Sequence, residues 1–271
     1  MEKIILITGG TSGIGKATAL ELMRTDSRVV IGARDIARGE ATRAQLHSWS
    51  GKDVDVLTGD LASLASVREM ADTFRKKYPR LDVLINNAGV YRNKRELSAD
   101  GFELMFAINH LAPFLLTNLL LDSLKASGQA RVLNIAAPSA TKLNFDDLQG
   151  EKNFNAFNAF GASKMANLLF TFELARRLAG MGVTANAIHP GLVRSTLMSD
   201  ASFFLRFFLN LVSASAEKAA RGIIAVALGD QFANETGKFF SNEKEMKASE
   251  YAHDREIQKQ LWDVGEKLAM V

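Results

Sequence analysis

Short apolar runs recur along the chain at Ile4–Ile7, Arg28–Gly32, Val54–Thr58, Val83–Ile85, Arg131–Ile135 and Thr184–Ile188. Each is bounded by turn-forming or charged residues and has the length of a strand buried on both faces. Between these runs, apolar residues fall at spacings of three and four over Gly15–Arg24, Ser63–Lys77, Asn109–Ser127, Ser163–Leu178 and Ala216–Leu228. That is the stripe a helix lays against a core, and Ser63 and Ser215 stand where N-caps belong. Alternation of this kind predicts an α/β protein, a Rossmann-type, doubly wound parallel sheet with helices on both faces. No repeat or proline-rich linker divides residues 1–271, so one domain is expected. The tail from Glu243 is charged and helical in pattern, a solvated amphipathic cap.

Composition narrows the partners. The 271 residues are 47% apolar and 23% charged, ample for one large core. Lys and Arg exceed Asp and Glu by 33 − 30 = 3 without basic clusters, so no nucleic acid is expected. The chain has no cysteine, which excludes disulfides and thiolate catalysis and makes the cytoplasm the default compartment. Ile4 to Ile7 is too short for a signal peptide's apolar region. Phe203 to Val212 is broken by Arg206 and Asn210 and falls short of the roughly 20 residues of a membrane span. His47, His110, His189 and His253 lack paired-ligand spacing, so no metal is expected.

Thr8-Gly9-Gly10-Thr11-Ser12-Gly13-Ile14-Gly15 follows the first strand and opens a helix, where glycines let a backbone approach a pyrophosphate. Alone, this is also an ordinary strand-to-helix turn. Further along come Asn86-Asn87-Ala88-Gly89 after the fourth strand, Asn109 in a helical pattern, Lys164, and Pro190-Gly191 after the sixth. Taken together, the set resembles the short-chain dehydrogenase/reductase family from Lys3 to Phe240. Asn144 to Gln149 and Lys164 to Leu178 look most like its retinol-dehydrogenase-like branch, which often acts on hydrophobic alcohols or carbonyls. The resemblance implies cofactor contacts at Gly9, Ser12, Gly13 and Ile14 for pyrophosphate, and at Asp60 and Leu61 for adenine. It also implies Asn87, Ala88 and Gly89 beside a ribose, Lys164 on the nicotinamide ribose, and Pro190, Gly191, Val193 and Thr196 around the carboxamide. No acidic residue ends the second strand; Arg34 stands there and suits a 2′-phosphate, so NADP(H) is the expected cofactor. The lesser alternative for Arg34 is a solvated surface residue, and Asp35 beside it is able to weaken the preference.

Two positions depart from the family's pattern. The tyrosine four residues before the lysine is Phe160, and the serine after the fifth strand is Ala137, while Asn109 and Lys164 remain. The resemblance thus implies a site stripped of its usual proton donor, drier and more apolar. Such changes also mark an engineered inactive variant, but Ala136 has lost a serine too, which favours natural divergence. Tyr91, in the loop after Asn-Asn-Ala-Gly, is the leading substitute for the lost acid, with packing at the loop rim as the plainer role. Ser139 and Thr141 are lesser candidates; His110 and His189 are assigned to structure.

Residues 195–215, rich in Phe and Leu, fall where the family places a substrate lid, and imply a hydrophobic small-molecule substrate. A subunit contact or membrane surface would use the same residues. Helices Asn109–Ser127 and Ser163–Leu178 build homo-oligomers in many relatives, so an oligomer is possible. Three functions stay open: hydride transfer with a non-standard proton donor, a redox-neutral cyclase, isomerase or lyase, and a non-catalytic NADP(H)-binding pseudoenzyme.

Overall fold

A computed structural model describes residues 2–191 and 215–270 of the chain. Its first half runs β1 (Lys3–Thr8), α1 (Gly13–Leu22), β2 (Ser27–Ala33), α2 (Ile36–Ser50), β3 (Asp55–Thr58), α3 (Leu64–Lys77) and β4 (Val83–Asn86). A helical turn at Leu104–Phe106 and a π turn at Ala107–Leu111 lead into α4 (Ala112–Leu119), followed by α5 (Leu121–Lys125) and β5 (Ala130–Ile135). Then come α6 (Ala156–Arg177), β6 (Val183–His189), α7 (Ala216–Leu228), β7 (Phe239–Ser241), β8 (Lys244–Glu245) and α8 (Arg255–Ala269).

The strands form one sheet in the order β3-β2-β1-β4-β5-β6-β7-β8, parallel apart from the antiparallel β8. Along β1, Ile4 and Leu6 face one core while Ile5 and Ile7 face the other, because successive side chains point to opposite faces. The first core receives Phe74 of α3, Phe114 of α4, Met165 and Phe170 of α6 and Trp262 of α8. The second receives Leu22 of α1, Leu46 of α2, and Ile223 and Val226 of α7. This is the expected α/β doubly wound single domain. Its strand order reverses direction between β1 and β4, where such folds open a crevice.

Four local expectations change. Helix α2 was not anticipated, since it buries just Gly39, Thr42 and Leu46, a stripe too narrow and too poor in large apolar residues to register. Helix α6 begins at Ala156, with Asn155 accepting the Asn158 N–H as its cap, and not at Ser163. Its first turns cover a loop, not the sheet, so the core-facing periodicity starts later. The helix expected over Asn109–Ser127 opens as a π turn and breaks at Leu120. The tail is no solvated cap: α8 buries Leu261 and Trp262 against α4 and α6.

Candidate active site

At the crevice, β1 ends in Thr8 and the chain turns through Gly9 (φ +67°) and Gly13 (φ +51°) into α1. A side chain at Gly9 would bring its Cβ within 3.0 Å of the Ala88 backbone, and one at Gly15 would sit 2.3 Å from the Gly9 carbonyl. Ser12 holds the N-cap position in extended conformation, yet its side chain makes no capping bond. The N-terminus of α1 therefore presents amides and a hydroxyl beside a glycine backbone, a cradle suited to a pyrophosphate. Thr8, which the sequence reading passed over, ties this turn to the next. Its Oγ1 accepts the N–H groups of Asn87 (3.0 Å) and Ala88 (3.1 Å), and the Asn87 amide donates to the Thr8 carbonyl at 2.8 Å.

Arg34 follows β2 and is exposed, with no ion pair among the described residues. Asp35 is committed elsewhere: its carboxylate accepts the Arg38 N–H at 2.8 Å and caps α2. Asp60 is half-buried, held by the Ser66 hydroxyl accepting its N–H and by its own Oδ1 accepting the Ala62 N–H. Leu61 packs against the first core, Ile14 against the second. Gly89 lies in the loop after β4, half-buried. Pro190 and Gly191 (φ +83°) follow β6, while Val193, Thr196 and the expected lid at 195–215 lie outside the described residues, apart from Ser215, which caps α7.

The side chain of Asn109, in the π turn, is a clamp. Its Oδ1 accepts the Val90 N–H at 2.7 Å, and its Nδ2 donates to the Val90 carbonyl and to Ser163 Oγ, each at 3.0 Å. The amide thus pins the loop before Tyr91 to α6, and Ser163 in turn donates to the Phe160 carbonyl at 2.8 Å. Upstream, the buried Glu103 caps the Leu104 turn by accepting the N–H groups of Met105 and Phe106. Burial pushes that carboxyl's pKa up. Neither Ser163 nor Glu103 carries a motif visible in isolation.

Tyr91 is buried and meets the Phe160 ring edge-on, centroids 5.6 Å apart, within a cluster completed by Met105, Val90 and Phe154. Its phenol makes no hydrogen bond to the protein among the described residues. One turn along α6, Lys164 is 6% exposed; its Nζ lies 5.6 Å from the Phe160 ring centroid and donates to the Ile135 carbonyl at 3.4 Å. Burial brings this amine from 10.5 down to about 8. Ala137 is half-buried just beyond β5. The Ser139 hydroxyl is spent on the Gly161 carbonyl at 2.8 Å, and Thr141 presses on Gly161, where a Cβ would lie 2.4 Å from its Oγ1. His110 is wholly buried among Phe106, Phe114 and Phe170, its pKa lowered to about 3 by burial, and it serves the core as expected.

Sequence comparison decides what this crevice belongs to, since the short chain dehydrogenase family matches residues 3–203. The chain belongs to the short-chain dehydrogenase family. Mouse retinol dehydrogenase 14 is 41% identical to this chain over 283 residues, which cover 97% of this chain and 85% of its own. Human retinol dehydrogenase 13 is 39% identical over 278 residues, covering 98% and 84%. Among solved structures, an uncharacterised protein from Mycobacterium paratuberculosis superposes with TM-score 0.81 at 33% identity, covering 99% of this chain and 94% of that one. The Pseudomonas aeruginosa RhlG/NADP active-site complex superposes with TM-score 0.71 at 28% identity, covering 88% and 94%. Members of the family bind NAD(P)(H), and this chain keeps a turn of close-packed glycines between β1 and α1. No helix among its described residues is long and apolar enough to cross a membrane.

Proposed function

We propose that this short-chain dehydrogenase is an NADP(H)-dependent oxidoreductase of hydrophobic alcohols or carbonyls whose proton moves outside the family's usual serine and tyrosine. The observation that carries the reading is the cradle of Gly9, Ser12, Gly13 and Ile14 at the N-terminus of α1, backed by Asn87, Ala88 and Gly89. Bound there, a nicotinamide supplies or accepts hydride. Arg34 pairs with the 2′-phosphate, and because Asp35 is turned into its helix as a cap, it does not compete for that guanidinium. Asp60 and Leu61 flank the adenine, Lys164 holds the ribose hydroxyls, and Pro190 and Gly191 border the carboxamide.

At the reacting carbon, Ala137 and Phe160 occupy the serine and tyrosine positions and leave an aromatic wall that excludes water. Asn109 positions the loop and donates nothing to substrate, its amide being fully engaged. Tyr91 is the proton donor: its phenol is the uncommitted hydroxyl in contact with Phe160, whereas Ser139 is bound to α6. The retinol dehydrogenase names of the relatives support a hydrophobic substrate.

Titration with NADPH and NADH, followed by absorbance at the nicotinamide band, tests the cofactor half; NADPH is expected to bind at least about tenfold more tightly, one good charge-assisted contact. Turnover of a panel of hydrophobic aldehydes with deuterated NADPH tests the chemistry. Deuterium must appear on the product carbon, and unlabelled product or turnover without NADPH consumption would overturn hydride transfer.

A further inference from the structure

Among the described residues, Lys164 is the one buried lysine and none of their carboxylates pairs with it. Its amine meets a backbone carbonyl at 3.4 Å and an aromatic ring at 5.6 Å, neither of which can exchange a proton with it. Among the described residues, the titratable groups facing this corner are His189 at the end of β6 and Tyr91 in contact with Phe160. His189 is held low by burial first, and further by the charge of Lys164, so it adds no positive field at neutral pH. A desolvated amine in an apolar site is a nucleophile, because a useful share of it carries a free lone pair.

We propose that Lys164 is a reversible covalent capture site for hydrophobic aldehydes, its Nζ condensing with the carbonyl to an imine in the cofactor-free protein. The nitrogen lone pair bonds to the carbonyl carbon, the C=O pair moves to oxygen, and that oxygen leaves as water with both hydrogens of the neutral amine. No oxidant or reductant is consumed. The proposal rests on the reading above for the aldehyde class and for the competing claim of a nicotinamide ribose on the same nitrogen. Imine and ribose cannot share Nζ, so cofactor and aldehyde exclude each other there. Phe160 permits the chemistry: a tyrosine would set an ionisable phenol beside the amine and hold it as ammonium.

With the amine near 8, about a fifth of Lys164 is neutral at pH 7.4, against about a thousandth of an exposed lysine. Its lower basicity gives back part of that advantage, leaving an expected rate about tenfold above the surface lysines. The experiment treats the purified full chain with decanal and sodium cyanoborohydride between pH 6 and 10 and maps N-alkylated lysines by peptide mass spectrometry. The expected result is preferential labelling of Lys164 with a midpoint near pH 8, suppressed by NADPH. Lys164→Arg should abolish that adduct, and Phe160→Tyr should move the midpoint up by a unit or more. Labelling of Lys164 no faster than that of exposed lysines in the wild-type protein overturns the proposal, whatever the variants do. If NADPH binds and transfers deuterium while Lys164 stays unlabelled, capture alone falls; if Lys164 labels but NADPH neither binds nor protects, the oxidoreductase reading falls.

Discussion

Buried without a counter-charge among the described residues, the Lys164 ammonium costs stability below pH 8, where the folded protein must carry it as a cation. Between about 8 and 10.5 the unfolded chain holds a proton that the folded chain has released, so stability rises with pH across that window. Lys164→Met should therefore stabilise the cofactor-free protein at pH 7 by about 3 kcal/mol, the difference shrinking toward zero by pH 10.5. Urea denaturation of both proteins at three pH values checks this; a gap that does not depend on pH would rule out the desolvated amine. The other residue-scale test concerns the two lost hydroxyls. Ala137→Ser with Phe160→Tyr should raise carbonyl reduction by about 10²-fold or more, the usual gain from a positioned acid. No gain in a folded, NADPH-binding variant would mean that these two positions do not adjoin the reacting carbon.

Among the elements, the turn from β1 to α1 tolerates no added carbon at Gly15, where a Cβ would lie 2.3 Å from the Gly9 carbonyl and 2.5 Å from the Asn87 amide. Gly15→Ala is expected to weaken NADPH binding by more than about tenfold while leaving far-UV circular dichroism intact, since it displaces the loop and spares the helix. Unchanged affinity would remove this turn from the cofactor site. The glycines here were legible because a motif announced them, and the strands because their apolar runs are continuous. What escaped were elements whose reason is tertiary. Helix α2 is held by Gly39 lying so close to Val56 that a Cβ would stand 2.6 Å from its side chain, a contact between segments that no periodicity reports. The first turn of α6 leaves Phe157 67% exposed, so its pattern resembles a loop. Asn109 was found by its motif, but its work as a clamp on Val90 emerges once the π turn brings it to that loop.

At the scale of the whole molecule, α8 packs across α4 and α6 and covers their aromatic side chains. The Trp262 ring centroid stands 5.0 Å from that of Phe114 and 5.8 Å from that of Phe170, with the Arg177 guanidinium 4.2 Å from the indole centroid. Trp262→Ala should cost about 3–5 kcal/mol, as for other large buried aromatics, and should raise self-association seen by light scattering as the rings are uncovered. A variant as stable and as monodisperse as the wild type would show the cover to be dispensable. The glycine turn between β1 and α1 was readable from sequence, whereas this cover was not, because a charged amphipathic tail looks the same whether its apolar face meets water or protein. The end of α8 is fastened by Arg68, whose guanidinium donates to the carbonyls of Ala269 and Met270, a closure spanning 201 residues of chain. Without α8, the rings of Phe114 and Phe170 would lie open on an otherwise complete sheet, the kind of exposed apolar patch that drives aggregation.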